Sequence, residues 1–267
     1  MKFLKTSETT IRKMLDQFYA RWPQTMPTEE RLKHCKIIAH RGDYDNLDVF
    51  ENTVAAFDRA AAGGVWGVEF DLRWTKDLHP VVVHDPDLKR VFRIDSMIIK
   101  LTRSELESCC PAVPTLAEVV EKYGKKLHLM IEIKSETYPN PEMQNRALKD
   151  CFSYLEPRQD YHLMSLTPPM FDLIYFALPS TFIPIATLNV GQFSKLALEK
   201  NYGGIAGHYL LLTSSKLAKH RKKKQHVGTG YPESKNCLFR EINRDVEWIF
   251  SNNACQVQDI ITHLIHT

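Results

Sequence analysis

Eight short apolar runs recur along the chain, and the stretches between them carry the periodicity of amphipathic helices. The runs fall at 36–40, 66–72, 127–133, 162–166, 182–187, 205–210, 225–229 and 246–250. Strands alternating with helical crossovers build βα units and a parallel sheet, with helices covering its outer face. Eight such units close into a barrel, so the expected fold class is α/β, a (β/α)8 TIM barrel. The length of 267 residues suits one such domain. Several helix ends are legible. An alanine-rich stretch, 52–62, stops at Gly63-Gly64. Thr115-Leu116-Ala117-Glu118 is a capping-box pattern whose helix closes at Gly124. Pro168-Pro169 open a further helix expected to run through Leu178, with Pro179 after it.

The first residues do not belong to this rhythm. Ile11, Leu15, Phe18 and Trp22 recur at helical spacing, which predicts an N-terminal helical extension over 1–34 packed on a barrel over 35–267. The segment has no apolar core of the kind a secretory signal carries, and no apolar run is long enough for a membrane span. A cytoplasmic protein with no stable membrane insertion is the expectation. A hydrophobic content of 43% can fill a core, and a formal net charge of +3 is too small to suggest nucleic-acid binding. The six cysteines include no CxxC pair and read as reduced, packed thiols. The basic run Lys219–Lys224 reads as a solvated helix end.

Val81–His84 breaks the βα pattern. It follows the second strand too soon for a helical crossover, so a hairpin is expected, with its turn near 76–79 and a return through Pro80–His84. Counting back from the turn sets His84 roughly opposite Asp71. The residues 85–113 are then an insertion after the second strand, placed to cap the barrel mouth.

Glu69 and Asp71 lie two apart on a strand and share one face, while Val68 and Phe70 take the other. Glu132 and Lys134 repeat the spacing on the next barrel strand. Carboxylates crowded in a lumen repel one another unless a cation or a proton intervenes. Three at neighbouring strand ends make a hard-oxygen site suited to one divalent cation, Mg²⁺ or Ca²⁺, with Mn²⁺ also compatible. Taken singly, each acid is more often a rim salt bridge, and it is the three together on neighbouring strands that favour a metal. His40 and His84 each end an apolar run. Two imidazoles aimed at one carboxylate cluster suit acid–base chemistry near neutral pH. Arg41 offers a planar fork for phosphate oxygens. Glu51 and Asn52 fit either helix capping or a pocket role.

His40-Arg41-Gly42, Glu51-Asn52-Thr53, Glu69-Phe70-Asp71, Thr75-Lys76-Asp77, His84-Asp85 and Glu132-Ile133-Lys134 together resemble the glycerophosphodiester phosphodiesterase family, in its order and near its spacing. The resemblance is strong over 37–134 and carried by strand pattern beyond. It implies a barrel phosphodiesterase that uses one divalent cation and two histidines to release glycerol 3-phosphate and an alcohol from a small glycerophosphodiester. Carried onto this chain, it makes Glu69, Asp71 and Glu132 the metal ligands and His40 and His84 the acid–base pair. Arg41 and Lys134 become phosphate contacts.

The chain departs from the family where a Trp-Thr element is usual, reading Val227-Gly228-Thr229-Gly230-Tyr231, so that Tyr231 stands in as the aromatic wall. It departs again where the eighth strand usually ends in Thr-Asp, reading Ser251-Asn252. Two rival readings remain open. One is a lysophospholipase D acting on lysolipids, with Ile94, Met97, Ile98 and Ile99 as lipid contacts. The other is an inactive barrel that binds a phosphorylated ligand.

Overall fold

The computed structural model describes residues 17–232 and 234–266. Eight parallel strands close on themselves: β1 (Lys36–His40), β2 (Gly67–Trp74), β4 (His128–Ile133), β5 (Tyr161–Ser165), β6 (Phe182–Ala186), β7 (Gly204–His208), β8 (His226–Gly230) and β9 (Trp248–Ser251), with β9 pairing back onto β1. Helices Val54–Ala62, Leu116–Tyr123, Pro141–Cys151, Val190–Glu199, Ser214–Lys222, Lys235–Asn243 and Ala254–His266 lie between or after the strands. This is the (β/α)8 TIM barrel expected from the sequence, with strand ends shifted by no more than two residues.

Alternation along each strand sorts side chains into two cores. Val68, Phe70, Leu72 and Trp74 of β2 face outward into the large core beneath the helices. Ile38, Met130, Met164, Ile183, Ala206, Trp248 and Phe250 fill the lumen. The lumen is packed rather than hollow, as in barrels generally. At Gly228 a Cβ would sit 2.7 Å from the Phe250 ring, so glycine there makes room for the phenyl group.

The hairpin is present. β3 (Pro80–Val82) runs antiparallel to the overshooting end of β2, pairing Leu72 with Val82. One detail differs from the count made on sequence: Val83 N–H donates to the Asp71 carbonyl, so Val83 stands opposite Asp71 and His84 falls one residue beyond. The insertion over 85–113 forms its own small apolar core of Leu88, Ile98, Leu106, Cys110 and Val113 against Val81 and Val83.

Thr53 caps the helix Val54–Ala62, and the left-handed residue after it is Gly64 (φ +70°). Thr115 and Glu118 form a full capping box. The helix expected over 168–178 is a 3-10 segment that ends at Leu173. The Asn145 side chain takes the Leu173 carbonyl and the Tyr175 N–H, which draws the chain out of helical pairing.

At the N-terminus, Ile11 and Leu15 lie outside the described residues, while residues 17–20 are helical. Phe18 and Trp22 are exposed. Contact with the barrel body runs instead through Tyr19, on the Tyr209 ring and under the Arg240 guanidinium, and through the Ala20 carbonyl, which accepts from Asn236. Leu32 of the following helix, Glu29–His34, is buried in the main core. Among the described residues no helix is long and apolar enough to cross a membrane.

Candidate active site

Register assembles the site at the C-terminal ends of β1, β2 and β4. His40 pairs with Glu69 across β1–β2, and Asp71 pairs with Glu132 across β2–β4. One carboxylate oxygen from each of Glu69, Asp71 and Glu132 lies within 4.8 Å of the other two, and all three residues are buried. Lys134 Nζ sits 2.5 Å from Asp71 Oδ1 and 2.8 Å from Glu132 Oε1. Arg41 places Nε 3.3 Å from Asp71 Oδ2 and a terminal nitrogen 2.8 Å from Glu51 Oε1.

Left-handed backbone turns the chain around this cluster. Arg41 (φ +61°) and Gly42 (φ +84°) follow β1 directly, and Asn52 (φ +59°) follows Glu51. Such conformations are uncommon for non-glycine residues and gather at functional sites. At Gly42 a Cβ would lie 2.7 Å from the Ala56 Cβ, so no other residue fits without displacement. The turn aims the Arg41 N–H at the Glu69 carbonyl (2.7 Å) and lets Asn52 N–H return to the Arg41 carbonyl. Asn52 then clamps Asp71 twice. Its amide donates to Asp71 Oδ2 (2.8 Å), and its oxygen accepts the Asp71 N–H (3.2 Å). Because Thr53 does the capping, Glu51 and Asn52 are left to hold site residues.

Burial first, then repulsion from Asp71 and Glu132, pushes the Glu69 carboxyl well above its usual range. Burial also raises Glu132, only partly offset by Lys134. For Asp71 the same burial is outweighed by the charges of Lys134 and Arg41, and its carboxyl is held low. Three acids share two cations, so like charge is in excess within the cluster. Asp71 Oδ1 is buried without a well-aligned hydrogen bond. Three buried carboxylate oxygens gathered this closely, with more negative than positive charge around them, fit a divalent cation.

The histidines are held by their Nδ1 atoms. His40 Nδ1 lies 2.7 Å from Asn252 Oδ1, and His84 Nδ1 lies 2.6 Å from Asp85 Oδ1. Each partner oxygen is an acceptor, so Nδ1 carries the hydrogen and Nε2 is the free pole. His40 Nε2 lies 3.7 Å from Glu69 Oε2. Burial and then Arg41 push the His40 imidazole down to about 4. Burial lowers His84 too, against the pull of Asp71 and Asp85. Arg73 Nε donates to the His84 carbonyl (2.7 Å) and fixes its backbone.

These groups border a cavity of about 440 Å³, a size usual for small-molecule sites. His40, Arg41, Glu69, His84 and Glu132 form one wall. Met164, Leu166, Ile185, Ala206, His208 and Phe250 form the other, and Tyr231 stands beside His40 with ring centroids 4.9 Å apart. Asp71, Lys134, Glu51 and Asn52 lie behind the charged wall, touching its side chains rather than the opening. Ile94 and Ile98 serve the insertion core, and none of Ile94, Met97, Ile98 and Ile99 lines the cavity. The sequence reading gave no role to Asn252, Asp85 or Arg90. A signal existed for Asn252: alternation from Trp248 through Phe250 carries it onto the lumen face.

Comparison with known proteins points to one family. The model of the Glycerophosphoryl diester phosphodiesterase family matches residues 40–225, more than half of the chain. A glycerophosphodiester phosphodiesterase of Caldanaerobacter subterraneus subsp. tengcongensis is 36% identical over 130 residues, covering 44% of this chain and 53% of that protein. Human glycerophosphodiester phosphodiesterase 1 is 32% identical over 139 residues, covering 47% of this chain and 40% of that protein. The chain thus matches about half the length of these curated relatives. The crystal structure of the Thermotoga maritima glycerophosphodiester phosphodiesterase superposes with a TM-score of 0.68 at 24% identity, over 85% of this chain and 98% of the other. An Oleispira antarctica phosphodiesterase in complex with the product sn-glycerol-3-phosphate superposes with a TM-score of 0.67 at 21% identity, over 85% and 96%. At these identities the superpositions speak for the fold.

Proposed function

The chain belongs to the glycerophosphoryl diester phosphodiesterase family, and from that membership and the geometry of its site we propose that it hydrolyses glycerophosphodiesters to glycerol 3-phosphate and an alcohol, using one divalent cation and two histidines. The observation that carries this reading is the set of three carboxylate oxygens within 4.8 Å of one another, with Glu69 and Glu132 sharing a cavity wall with two imidazoles. Glu69, Asp71 and Glu132 would hold the cation. When bound, it supplies Lewis-acid polarisation of a phosphate oxygen and charge for the transition state. Mg²⁺, Ca²⁺ and Mn²⁺ all suit the donors.

The protein's own groups divide the remaining work. Arg41 at the wall and Lys134 behind it bring positive charge to the phosphate oxygens. His40, neutral and with Nε2 free, accepts the proton of the attacking hydroxyl. His84 Nε2 delivers a proton to the departing alcohol oxygen, and Asp85 stabilises its charged form beforehand. Among the described residues the cavity lining includes no serine or cysteine, which favours the substrate's own glycerol hydroxyl as first nucleophile. Attack within one molecule avoids much of the entropy of positioning water. The O–P bond to that hydroxyl forms as the P–O bond to the alcohol breaks. Water then opens the cyclic phosphate with the histidines in exchanged roles. Tyr231 walls the site beside His40.

A second reading, cleavage of lysolipids, draws on the apolar far wall of the cavity. One assay separates the two and tests the first. Glycerol 3-phosphate release from glycerophosphocholine should vanish in chelator and return with Mg²⁺, Ca²⁺ or Mn²⁺. Full turnover by a demonstrably metal-free protein sinks the metal reading. A higher kcat/KM for a lysolipid than for glycerophosphocholine reverses the choice of substrate. Rapid hydrolysis of a 2-deoxyglycerol analogue would point to water as first nucleophile.

A further inference from the structure

Arg90 belongs to a short helical turn, Lys89–Phe92, in the insertion, and does not line the cavity. Its guanidinium nevertheless reaches two acids that touch the working side chains. Nε donates to Asp85 Oδ2 (2.5 Å), and the two terminal nitrogens donate to Glu51 Oε2 (2.9 Å) and Oε1 (2.6 Å). The other oxygen of Asp85 takes the His84 Nδ1–H, and Glu51 Oε1 also takes Arg41 at 2.8 Å. One planar fork therefore joins, at one remove, the second histidine and the arginine of the charged wall. Building on the function proposed above, we propose that Arg90 is a positioning residue that sets His84 through Asp85 and Arg41 through Glu51.

A purely structural tether is the competing account, and the geometry disfavours it. The insertion has its own apolar core, and it is fastened to the hairpin by Lys76 N–H to the Leu101 carbonyl and Arg103 N–H to Asp77 Oδ1. The Arg90 side chain is 46% exposed, so its ion pairs are screened and add little to stability. The acids it holds are much less exposed, at 20% for Asp85 and 3% for Glu51. A guanidinium presents its donors in a rigid planar fork, whereas an ammonium is a compact point charge that does not fix the direction of its partners. Without the fork, Asp85 is free to rotate away from Nδ1. Glu51, whose Oε2 also accepts from the Asn46 side-chain amide at 3.0 Å, is left to Arg41 and Asn46 and draws Arg41 back from the cavity.

The test uses the full chain with Mg²⁺ and glycerophosphocholine, comparing Arg90→Ala and Arg90→Lys alone and in a His84→Ala background. Arg90→Ala should lose about 10–100-fold in kcat, the usual loss when a ligand-orienting partner is removed, with melting temperature and circular dichroism unchanged. Millimolar guanidinium should restore part of that loss and leave wild type unaffected. Arg90→Lys, which keeps the charge and guards against misfolding of the alanine variant, should also fall well below wild type. In the His84→Ala background the Arg90→Ala loss should shrink, because a partner's work disappears with the group it positions. A wild-type kcat in Arg90→Lys or in folded Arg90→Ala overturns the proposal, as does a loss confined to KM or fully additive with His84→Ala. If Arg90→Ala is active while His84→Ala is dead, the proposal falls and the catalytic reading stands. If His84→Ala is as active as wild type, both fall.

Discussion

The two ends of the barrel lumen hold two buried clusters of titratable groups, and they are built to opposite specifications. At the C-terminal end three carboxylates face two cations, and two of them, Glu69 and Glu132, line a cavity. At the N-terminal end His128, His162, His226, Lys36 and Glu247 gather around Trp66 and Trp248, and none of them lines the cavity. Most of the lower groups hold one another, while His162 Nε2 and Trp248 Nε1 are buried without a hydrogen-bond partner. Glu247 takes Lys36 at 2.7 Å and the His226 Nδ1–H at 2.6 Å. The Gln159 carbonyl takes the His128 Nδ1–H, so His128 Nε2 must accept from His162 Nδ1, at 2.8 Å. Burial pushes His128 down to about 4 and lowers His162 well below its usual 6.5. The upper cluster carries an excess of like charge beside a cavity, and the lower pairs its one acid with a lysine and a histidine. Similar chemistry thus borders a cavity at one end and is packed beneath the lumen core at the other.

The comparison can be broken most sharply at the upper acids. Glu69→Gln and Glu132→Gln should abolish glycerol 3-phosphate release and weaken cation binding by calorimetry. The same variants should leave the melting temperature of the metal-free protein unchanged or raised, because each removes repulsion among buried carboxylates. A marked drop in stability with activity retained would make these acids part of the scaffold.

The histidines come next. Acid–base groups typically contribute about 10²–10⁴-fold each, and groups serving one step are strongly non-additive. His40→Ala and His84→Ala should therefore each cost nearly as much as the double variant, with folding unchanged. A single variant that keeps more than roughly a tenth of wild-type rate excludes its residue from the assigned role.

The lower cluster gives the smallest effect on rate and a distinct one on stability. Glu247→Gln should lower stability by about 1–3 kcal/mol at neutral pH, since Lys36 and His226 lose their charged acceptor, with kcat/KM unchanged. For Glu247, burial raises the carboxyl, but the bonds to His226 and Lys36 outweigh it and hold it at about 2, below its usual 4.5. A depressed carboxylate stabilises above its unfolded value, and that contribution is lost as pH falls. The wild-type advantage over Glu247→Gln in urea melts should accordingly fade between about pH 4.5 and 2. A difference that persists below that window would assign the stabilisation to packing rather than to charge.

The sequence by itself determined the strand order, the lumen-facing parity of Glu69, Asp71, Glu132 and Lys134, and the hairpin that returns His84 to the site. Those features follow from period-2 alternation and from the minimum length of a crossover, which are properties of local chain. Tertiary structure alone decided which groups hold which. Asn252 reaches His40 from 212 residues away, and Arg90 reaches Glu51 across 39. Thr53 rather than Glu51 or Asn52 caps the neighbouring helix, and Asn145 ends the 3-10 segment before Leu178. Side-chain hydrogen bonds between distant segments leave no periodic trace, because they depend on barrel closure, on the register between β9 and β1, and on the left-handed turns at Arg41 and Asn52. Parity places a residue on a face of the sheet, and only the closed barrel fixes what it meets there.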